Sequence, residues 1–208
     1  MGWIAKERRQ SARELEIAKI LQGQGWSVTT AGRFCPKGYW FTDEEKVWWR
    51  RFAQRIFGSR IVALIGGDKT KNDLSFLKDL SMVRVLVINS YEDVRDISPV
   101  GRLTGLVDLQ LGETSVTDLS PLAELVSLRR IAASDTPIYN VEPLAQLTNL
   151  VKLELGNTEV SDLAPLSNLK KLQVLEVRGT KVSRESVERL QKMLPNCMID
   201  HDFLDEHE

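Results

Sequence analysis

The sequence predicts an α/β solenoid, a fold in which successive coils of the chain stack their short strands into one parallel sheet. Three observations lead to this fold class. Apolar residues recur every 22 positions through the second half of the chain, each regular coil repeats the same turn with an aspartate or asparagine and a proline, and both chain ends depart from the repeat. Internal periods of about 20 to 29 residues are typical of such solenoids.

The apolar residues form seven sets of equivalent positions in successive coils, which we call columns. Related by shifts of 22 residues, they are Leu106, Leu128, Leu150 and Leu172; Leu109, Ile131, Leu153 and Leu175; Leu111, Ala133, Leu155 and Val177; Val116, Ile138, Val160 and Val182; Leu119, Val141 and Leu163; Leu122, Leu144 and Leu166; and Leu125, Leu147 and Leu169. Two irregular coils start at Ile61 and Val83, the second with an extra residue near Tyr91, so we expect about six coils. One repeat cannot bury its leucines alone, so no repeat should fold by itself.

A polar residue and a proline recur just after the turn that follows each strand. The polar residues are Asp96, Asp118, Asn140 and Asp162, and the prolines are Pro99, Pro121, Pro143 and Pro165. A short side-chain acceptor can cap backbone N–H groups of the next turn, and proline costs little where a turn starts. Because a 22-residue coil leaves no room for a full helix, we expect a short 3₁₀ or loop segment on the convex side.

The pattern L-x-x-L-x-L-x-x-(N/T)-x-V-x-D-L-x-P-L-x-x-L, from residue 61 to about residue 190, resembles the 22-residue leucine-rich repeat of internalin-type bacterial proteins. The resemblance implies a right-handed superhelix whose parallel sheet lines the concave side. Where the family has a ladder asparagine, this sequence has Thr114, Thr136, Thr158 and Thr180. Similar threonine-type repeats occur in uncharacterised bacterial proteins, so the resemblance carries the fold better than the function.

The two ends are expected to cap the sheet, since a stack of strands exposes apolar edges. We predict a helical, Trp/Arg-rich cap at residues 1–60, repeats at residues 61–182, and a helical cap with an acidic tail at residues 183–208. In the first cap, residues 13–21 favour a helix, residues 22–25 a break, residues 26–30 a strand, and residues from Thr42 onward a second helix. In the last cap, Ser183 is the expected N-cap of a helix over residues 184–194, with Val187, Leu190 and Leu194 inward.

The N-terminal cap leaves two interpretations open. Residues 1–60 contain 12 of the 28 basic residues, 6 of the 29 acidic residues and all five tryptophans. Arginines at Arg50, Arg51 and Arg55 and the aromatic rings suit docking on anionic lipid or nucleic acid. Tryptophans at helical spacing are more often core residues, which favours the structural cap. The net charge of -1 argues against a protein whose whole surface binds nucleic acid.

The composition does not favour an enzyme. The two histidines, His201 and His207, both lie in the C-terminal tail, whose spacing of acids matches no closed metal site. Cys35 has no histidine near it in the sequence, and the segment Gly66-Gly67-Asp68-Lys69-Thr70 lacks the spacing of a phosphate loop. We therefore expect no catalytic residue, no cofactor and no metal.

The sequence leaves the cellular location open. It shows neither a transmembrane stretch nor a signal peptide, so the chain as given is expected to be soluble, either cytoplasmic or membrane-anchored through a removed N-terminal segment, since residues 6–10 are similar to the polar stem that follows a membrane anchor in some bacterial repeat proteins. Cys35 and Cys197 should lie roughly 24 Å apart along a stack of strands spaced about 4.8 Å, too far for a disulfide. Two free thiols favour a reducing compartment.

The candidate site is the concave face, where residues between the strand leucines point outward. Two columns of this face read Val85, Asp108, Arg130, Lys152, Val174 and Val87, Gln110, Ala132, Glu154, Glu176; an outer column reads Arg84, Val107, Arg129, Val151, Gln173. Asp108 and Arg130 should form a cross-strand ion pair, whereas Glu154 beside Glu176 is a like-charge contact that Lys152 or a ligand would offset. We place a partner on Arg129, Arg130, Lys152, Glu154 and Glu176.

These observations predict a non-catalytic protein-interaction module that binds a protein or peptide partner on its concave strand face. The alternative is a structural or envelope-associated domain whose basic, aromatic N-terminal cap docks on anionic lipid or nucleic acid.

Overall fold

The computed structural model describes residue 19 and residues 21–23, 26–30, 61–65, 73–80 and 83–203. Within these residues, eight strands form one open sheet in the order β1 to β8 along the chain. The strands are β1 Ser27–Thr30, β2 Ile61–Ile65, β3 Val85–Val87, β4 Asp108–Gln110, β5 Arg130–Ala132, β6 Lys152–Glu154, β7 Val174–Glu176 and β8 Met198–Asp200. Strands β2 to β8 pair in parallel, and β1 pairs antiparallel with β2. The predicted parallel-sheet solenoid is confirmed.

The register of the sheet follows the predicted columns. Leu109, Ile131, Leu153 and Leu175 are direct partners across β4 to β7, and each is fully buried. The step from Val85 to Asp108 is 23 residues, because the extra residue near Tyr91 lengthens that coil. Tyr91 turns inward and is 2% exposed. The coil therefore absorbs the insertion outside the strand and keeps the sheet in register.

The convex side consists of 3₁₀ helices: η1 Ser75–Asp79, η2 Ser98–Arg102, η3 Ser120–Leu122, η4 Glu142–Leu144 and η5 Ala164–Asn168. Proline occupies one of the first two positions of η2 to η5. The four predicted capping residues each accept a hydrogen bond from the backbone N–H two residues later, at 2.8 to 2.9 Å. Asp73 makes the same bond to the N–H of Ser75 in the irregular second coil. The side-chain caps predicted from the turn sequence are confirmed.

A threonine ladder runs beside the strands. Thr114, Thr136 and Thr158 are buried, and each hydroxyl donates to the carbonyl three residues earlier at 2.6 to 2.7 Å. Thr180 repeats the bond in a half-buried position. The residue before each threonine has a positive φ, and at the last coil this residue is Gly179 with φ 65°. Threonine thus satisfies a backbone carbonyl at the bend that follows each strand.

At the N-terminal end, Trp26 is buried against Phe76 and Tyr91, with ring centroids 5.2 and 6.0 Å apart. The predicted strand at residues 26–30 is confirmed as β1. The predicted break at residues 22–25 is wrong at its start, because residues 21–23 are helical. The predicted helix from Thr42 onward, with Trp48, lies outside the described residues.

At the C-terminal end, the predicted cap helix is confirmed as α1, Arg184–Met193, one residue shorter than expected. The hydroxyl of Ser183 accepts a hydrogen bond from the N–H of Ser186, and Val187, Leu190 and Leu194 are buried. Strand β8 was not predicted: it follows α1 and adds Ile199 beside Leu175.

Among the described residues, no helix is both long and apolar enough to cross a membrane.

Candidate functional site on the concave face

The concave face carries the side chains that alternate with the buried leucines. The register aligns Val85, Asp108, Arg130, Lys152, Val174 and Met198 in one column and Val87, Gln110, Ala132, Glu154, Glu176 and Asp200 in the next. The two predicted inner columns are therefore confirmed, and β8 extends them by Met198 and Asp200.

The solvent exposure of the side chains in these two columns divides the concave face into a buried part and an open part. Val85, Val87, Asp108 and Gln110 are only 2 to 5% exposed, although they lie on the outward side of the sheet. From β5 onward every residue of the two columns is partly or fully exposed. The part of the concave face that a partner can reach therefore begins at β5.

A charged cluster occupies the start of this open part. Arg130 donates from Nη2 and Nε to Glu154 Oε2, at 2.9 and 3.2 Å. The Lys152 ammonium lies 3.0 Å from Glu154 Oε1. Arg130 and Lys152, adjacent like charges in one column, thus converge on one carboxylate. Exposures of 18% and 20% for the side chains of Arg130 and Glu154 make this a partly desolvated pair, which holds its geometry better than a fully exposed one.

Asp108, the expected ionic partner of Arg130, is its register neighbour on β4. The structure also gives Arg130 an ion pair with Glu154 on the other neighbouring strand, which was not predicted. Asp108 is 2% exposed and accepts hydrogen bonds from the Gln110 side chain at 3.3 and 3.5 Å. Arg130 therefore links β5 to β6.

The Glu176 side chain lies over a glycine just after the neighbouring strand β6. A Cβ added to Gly156 would lie 2.4 Å from Glu176 Oε1, so the carboxylate rests over this glycine and forms a hydrogen bond with the side chain of Ser134. Burial raises the pKa of Glu176, and the carboxylates of Glu154 and Asp200 raise it further; the bond to Ser134 and the charge of Lys152 oppose this. Glu176 is the least compensated carboxylate of its row.

The raised pKa of Glu176 predicts a pH-dependent stability difference for Glu176→Gln. In the folded state the carboxyl holds its proton more tightly than in the unfolded state, so its ionisation opposes folding. The penalty is absent below the unfolded pKa and complete above the folded one. We expect Glu176→Gln to stabilise the protein at pH 7 by less than about 1 kcal/mol, since solvent screens this partly exposed group.

Thermal melts of both proteins at pH 7 and below pH 4 (roughly the usual glutamate pKa) test this expectation. The advantage of the variant should disappear in acid. A variant less stable at pH 7 would show that the Glu176 carboxylate contributes more through its bond to Ser134 than it loses to its acidic neighbours.

Three of the five predicted site residues form the charged cluster, and Glu176 and Arg129 lie beside it. Arg130, Lys152, Glu154 and Glu176 lie on adjacent strands of the open face, while Arg129 is exposed in the outer column, where its carbonyl accepts from the N–H groups of Val151 and Lys152. These positions place the five residues on one surface, and their role in binding stays a prediction.

Sequence reasoning missed the part of the face contributed by β8. Arg178 Nε lies 2.6 Å from Asp200 Oδ1, and the N–H of Gly179 donates to Asp202 Oδ2 at 2.6 Å. The signal was the alternation of Met198, Ile199 and Asp200 after the cap helix, which continues the strand pattern without the repeat spacing.

Reactive groups in the described residues are few. Burial raises the pKa of the Cys197 thiol to about 11, so this thiol stays protonated at neutral pH. His201 Nδ1 accepts a hydrogen bond from the N–H of Phe203, and within the described part of the chain no group of three His, Cys, Asp or Glu residues is placed to hold a metal. Cys35, His207 and the glycines at 66–67 lie outside the described residues.

The repeat pattern and the open parallel sheet define a leucine-rich-repeat protein. Solved structures of the same class are similar to it. An internalin, InlF, of Listeria monocytogenes is 29% identical with a TM-score of 0.63, over 70% of this chain and 43% of that one. A leucine-rich-repeat protein of Leptospira interrogans is 25% identical with a TM-score of 0.52, over 67% of this chain and 37% of that one.

A second Listeria monocytogenes protein, internalin C2, is 24% identical with a TM-score of 0.53, over 62% of this chain and 66% of that one, and it shows the fold alone. This chain thus spans less than half the length of InlF and of the Leptospira protein. No protein-family model and no curated protein sequence matches the chain. The similarity to InlF and to the Leptospira protein supports a protein-interaction module in general terms.

Proposed function

We propose that this chain is a non-catalytic interaction module that binds a protein or peptide on the open concave face, through Arg129, Arg130, Lys152, Glu154 and Glu176. The observation that carries the proposal is the ordered charged cluster in which Arg130 and Lys152 both contact Glu154. Charged side chains that are already held in place give an interface specificity, because a partner must match both their sign and their position.

The rigidity of the sheet supports the same function. The cluster lies on β5 to β7, whose central residues Ile131, Leu153 and Leu175 are fully buried beneath it. A preorganised surface loses little conformational entropy when a partner binds, so more of the contact energy appears as affinity.

Reversing the central pair tests the proposal. A pull-down from the native organism's lysate, analysed by mass spectrometry, compares wild type with an Arg130→Glu/Glu154→Lys variant. This variant can form the ion pair in the opposite sense, so its melting temperature should stay close to that of the wild type. We expect the wild type to retain a protein that the variant loses.

Arg102→Glu and Glu124→Lys are matched controls. Both residues are exposed and lie outside the strands, so these charge reversals should leave retention unchanged. A partner that the reversed pair retains as well as the wild type would contradict the assigned site.

The alternative function, docking of the N-terminal cap on anionic lipid or nucleic acid, rests on the basic composition of residues 1–60. Arg50, Arg51 and Arg55 lie outside the described residues, so this alternative stays a hypothesis. Retention on heparin that disappears with salt and with reversal of these three arginines would favour it.

A further inference from the structure

A row of carboxylates crosses the C-terminal part of the open face. Glu154, Glu176 and Asp200 are register partners on β6, β7 and β8, so their strands lie about 4.8 Å apart. Like charges at this spacing repel one another unless cations compensate them. This row is therefore a surface on which a cation from outside would be stabilised.

The three carboxylates of the row differ in how far positive side chains compensate their charge. Glu154 contacts Arg130 and Lys152, and Asp200 contacts Arg178. Among the residues that the structure describes, none of the ion pairs reaches Glu176, whose carboxylate makes its hydrogen bond with the uncharged side chain of Ser134. The centre of the row thus has no direct ion pair of its own, and the charges of Lys152 and Arg178 act on Glu176 only from a distance.

Apolar side chains lie next to the row on the same face. Val174 and Met198 are register partners, two residues before Glu176 and Asp200 on their strands. Val174 is half-buried and Met198 is 63% exposed, so both present apolar surface on the open face. Two residues along a strand separate this apolar pair from the carboxylates by about 7 Å.

We infer that the partner presents a lysine or arginine side chain to Glu176 and, about 7 Å away, an aliphatic or aromatic side chain to Val174 and Met198. The inference rests on the proposed function and specifies the chemistry of its partner: a peptide segment that combines one basic and one apolar residue. Charge complementarity commits the centre of this face to such a segment, because a phosphate of a lipid or nucleic acid placed there would meet the Glu176 carboxylate, which has no ion pair of its own.

A random peptide library displayed on phage and selected against the whole chain tests the inference. We expect the enriched peptides to share a lysine or arginine beside an aliphatic or aromatic residue. Synthetic versions of these peptides should bind about tenfold more weakly to Glu176→Lys and to Met198→Ser. Glu188→Lys and Met193→Ser are matched controls on α1, since both residues are exposed away from the sheet, and they should bind like the wild type.

Two further variants separate the possible failures. Glu176→Gln removes the charge without adding bulk, so weaker binding by this variant cannot be attributed to misfolding when its melting temperature is maintained. Enriched peptides that bind Arg130→Glu more weakly than they bind the wild type and yet contain no basic residue would overturn this inference and leave the proposed function standing. The same conclusion would follow if such peptides bind Glu176→Lys as tightly as they bind the wild type. If no peptide is enriched, or if none responds to any concave variant, both are overturned.

Discussion

Replacing Leu153 with alanine is expected to lower the free energy of unfolding by about 2 to 5 kcal/mol. Leu153 is fully buried on β6, the middle of the regular coils, between its register partners Ile131 and Leu175. Each coil of a solenoid is stabilised chiefly by its two neighbours. A cavity at this position therefore weakens two interfaces at once, which urea denaturation followed by circular dichroism would measure.

The control for this experiment is Val126→Ala, which shortens a side chain that is 52% exposed and should change stability by less than about 0.5 kcal/mol. Leu153→Met, which nearly conserves volume, should cost less than about 1.5 kcal/mol. A Leu153→Ala variant as stable as Val126→Ala would mean that the coils do not depend on continuous packing through β6. A broadened transition would instead indicate that the coils on either side of the cavity unfold separately.

The sequence was sufficient to predict the stack because its signal is repeated. Leu109, Ile131, Leu153 and Leu175 recur at one spacing, and four coils confirm one another where a single leucine would say little. Strand β8 does not follow this 22-residue spacing, because Ile199 follows Leu175 by 24 residues and a helix lies between them. Its assignment depends on packing against β7, which periodicity does not encode.

Side-chain alternation predicted which residues face outward, but not which of them stay accessible. Asp108 and Gln110 occupy the same columns as Lys152 and Glu154, yet they are buried and the latter are not. Alternation is a local property of a strand, whereas burial depends on everything that packs above it. The sequence therefore predicted which residues of each strand face outward, but not that the solvent-exposed part of the face begins at β5.

The pairing of charges was likewise only half predictable. Register placed Arg130 beside both Asp108 and Lys152, and it did not predict that the long side chain of Arg130 reaches diagonally to Glu154. Glu176 turns toward Ser134, two strands away, because Gly156 leaves space between them. The partner that each charged side chain contacts depends on its rotamer and, for Glu176, on the missing Cβ atom of Gly156. The order of residue types in a column does not predict either of these.

The threonine ladder leads to the second large expected effect. Thr158→Val should lower the free energy of unfolding by about 1 to 3 kcal/mol. Thr158 is 3% exposed, and its hydroxyl donates to the carbonyl of Leu155 at 2.7 Å. Valine has nearly the same shape, so the packing is kept while the carbonyl loses its donor in a place that water reaches poorly. Chemical denaturation at neutral pH measures the difference.

The same substitution at Thr180 separates hydrogen bonding from packing. Thr180 makes the equivalent bond to the carbonyl of Val177, but in a half-buried position near the C-terminal end. Water can replace the lost donor there, so Thr180→Val should cost clearly less than Thr158→Val, and Thr158→Ser, which keeps the hydroxyl, should recover part of the loss. Equal costs at the two positions would mean that threonine acts through its methyl group. The ladder would then stabilise the bend by packing alone, and a hydroxyl donor would not be the reason that threonine can stand where related repeats have asparagine.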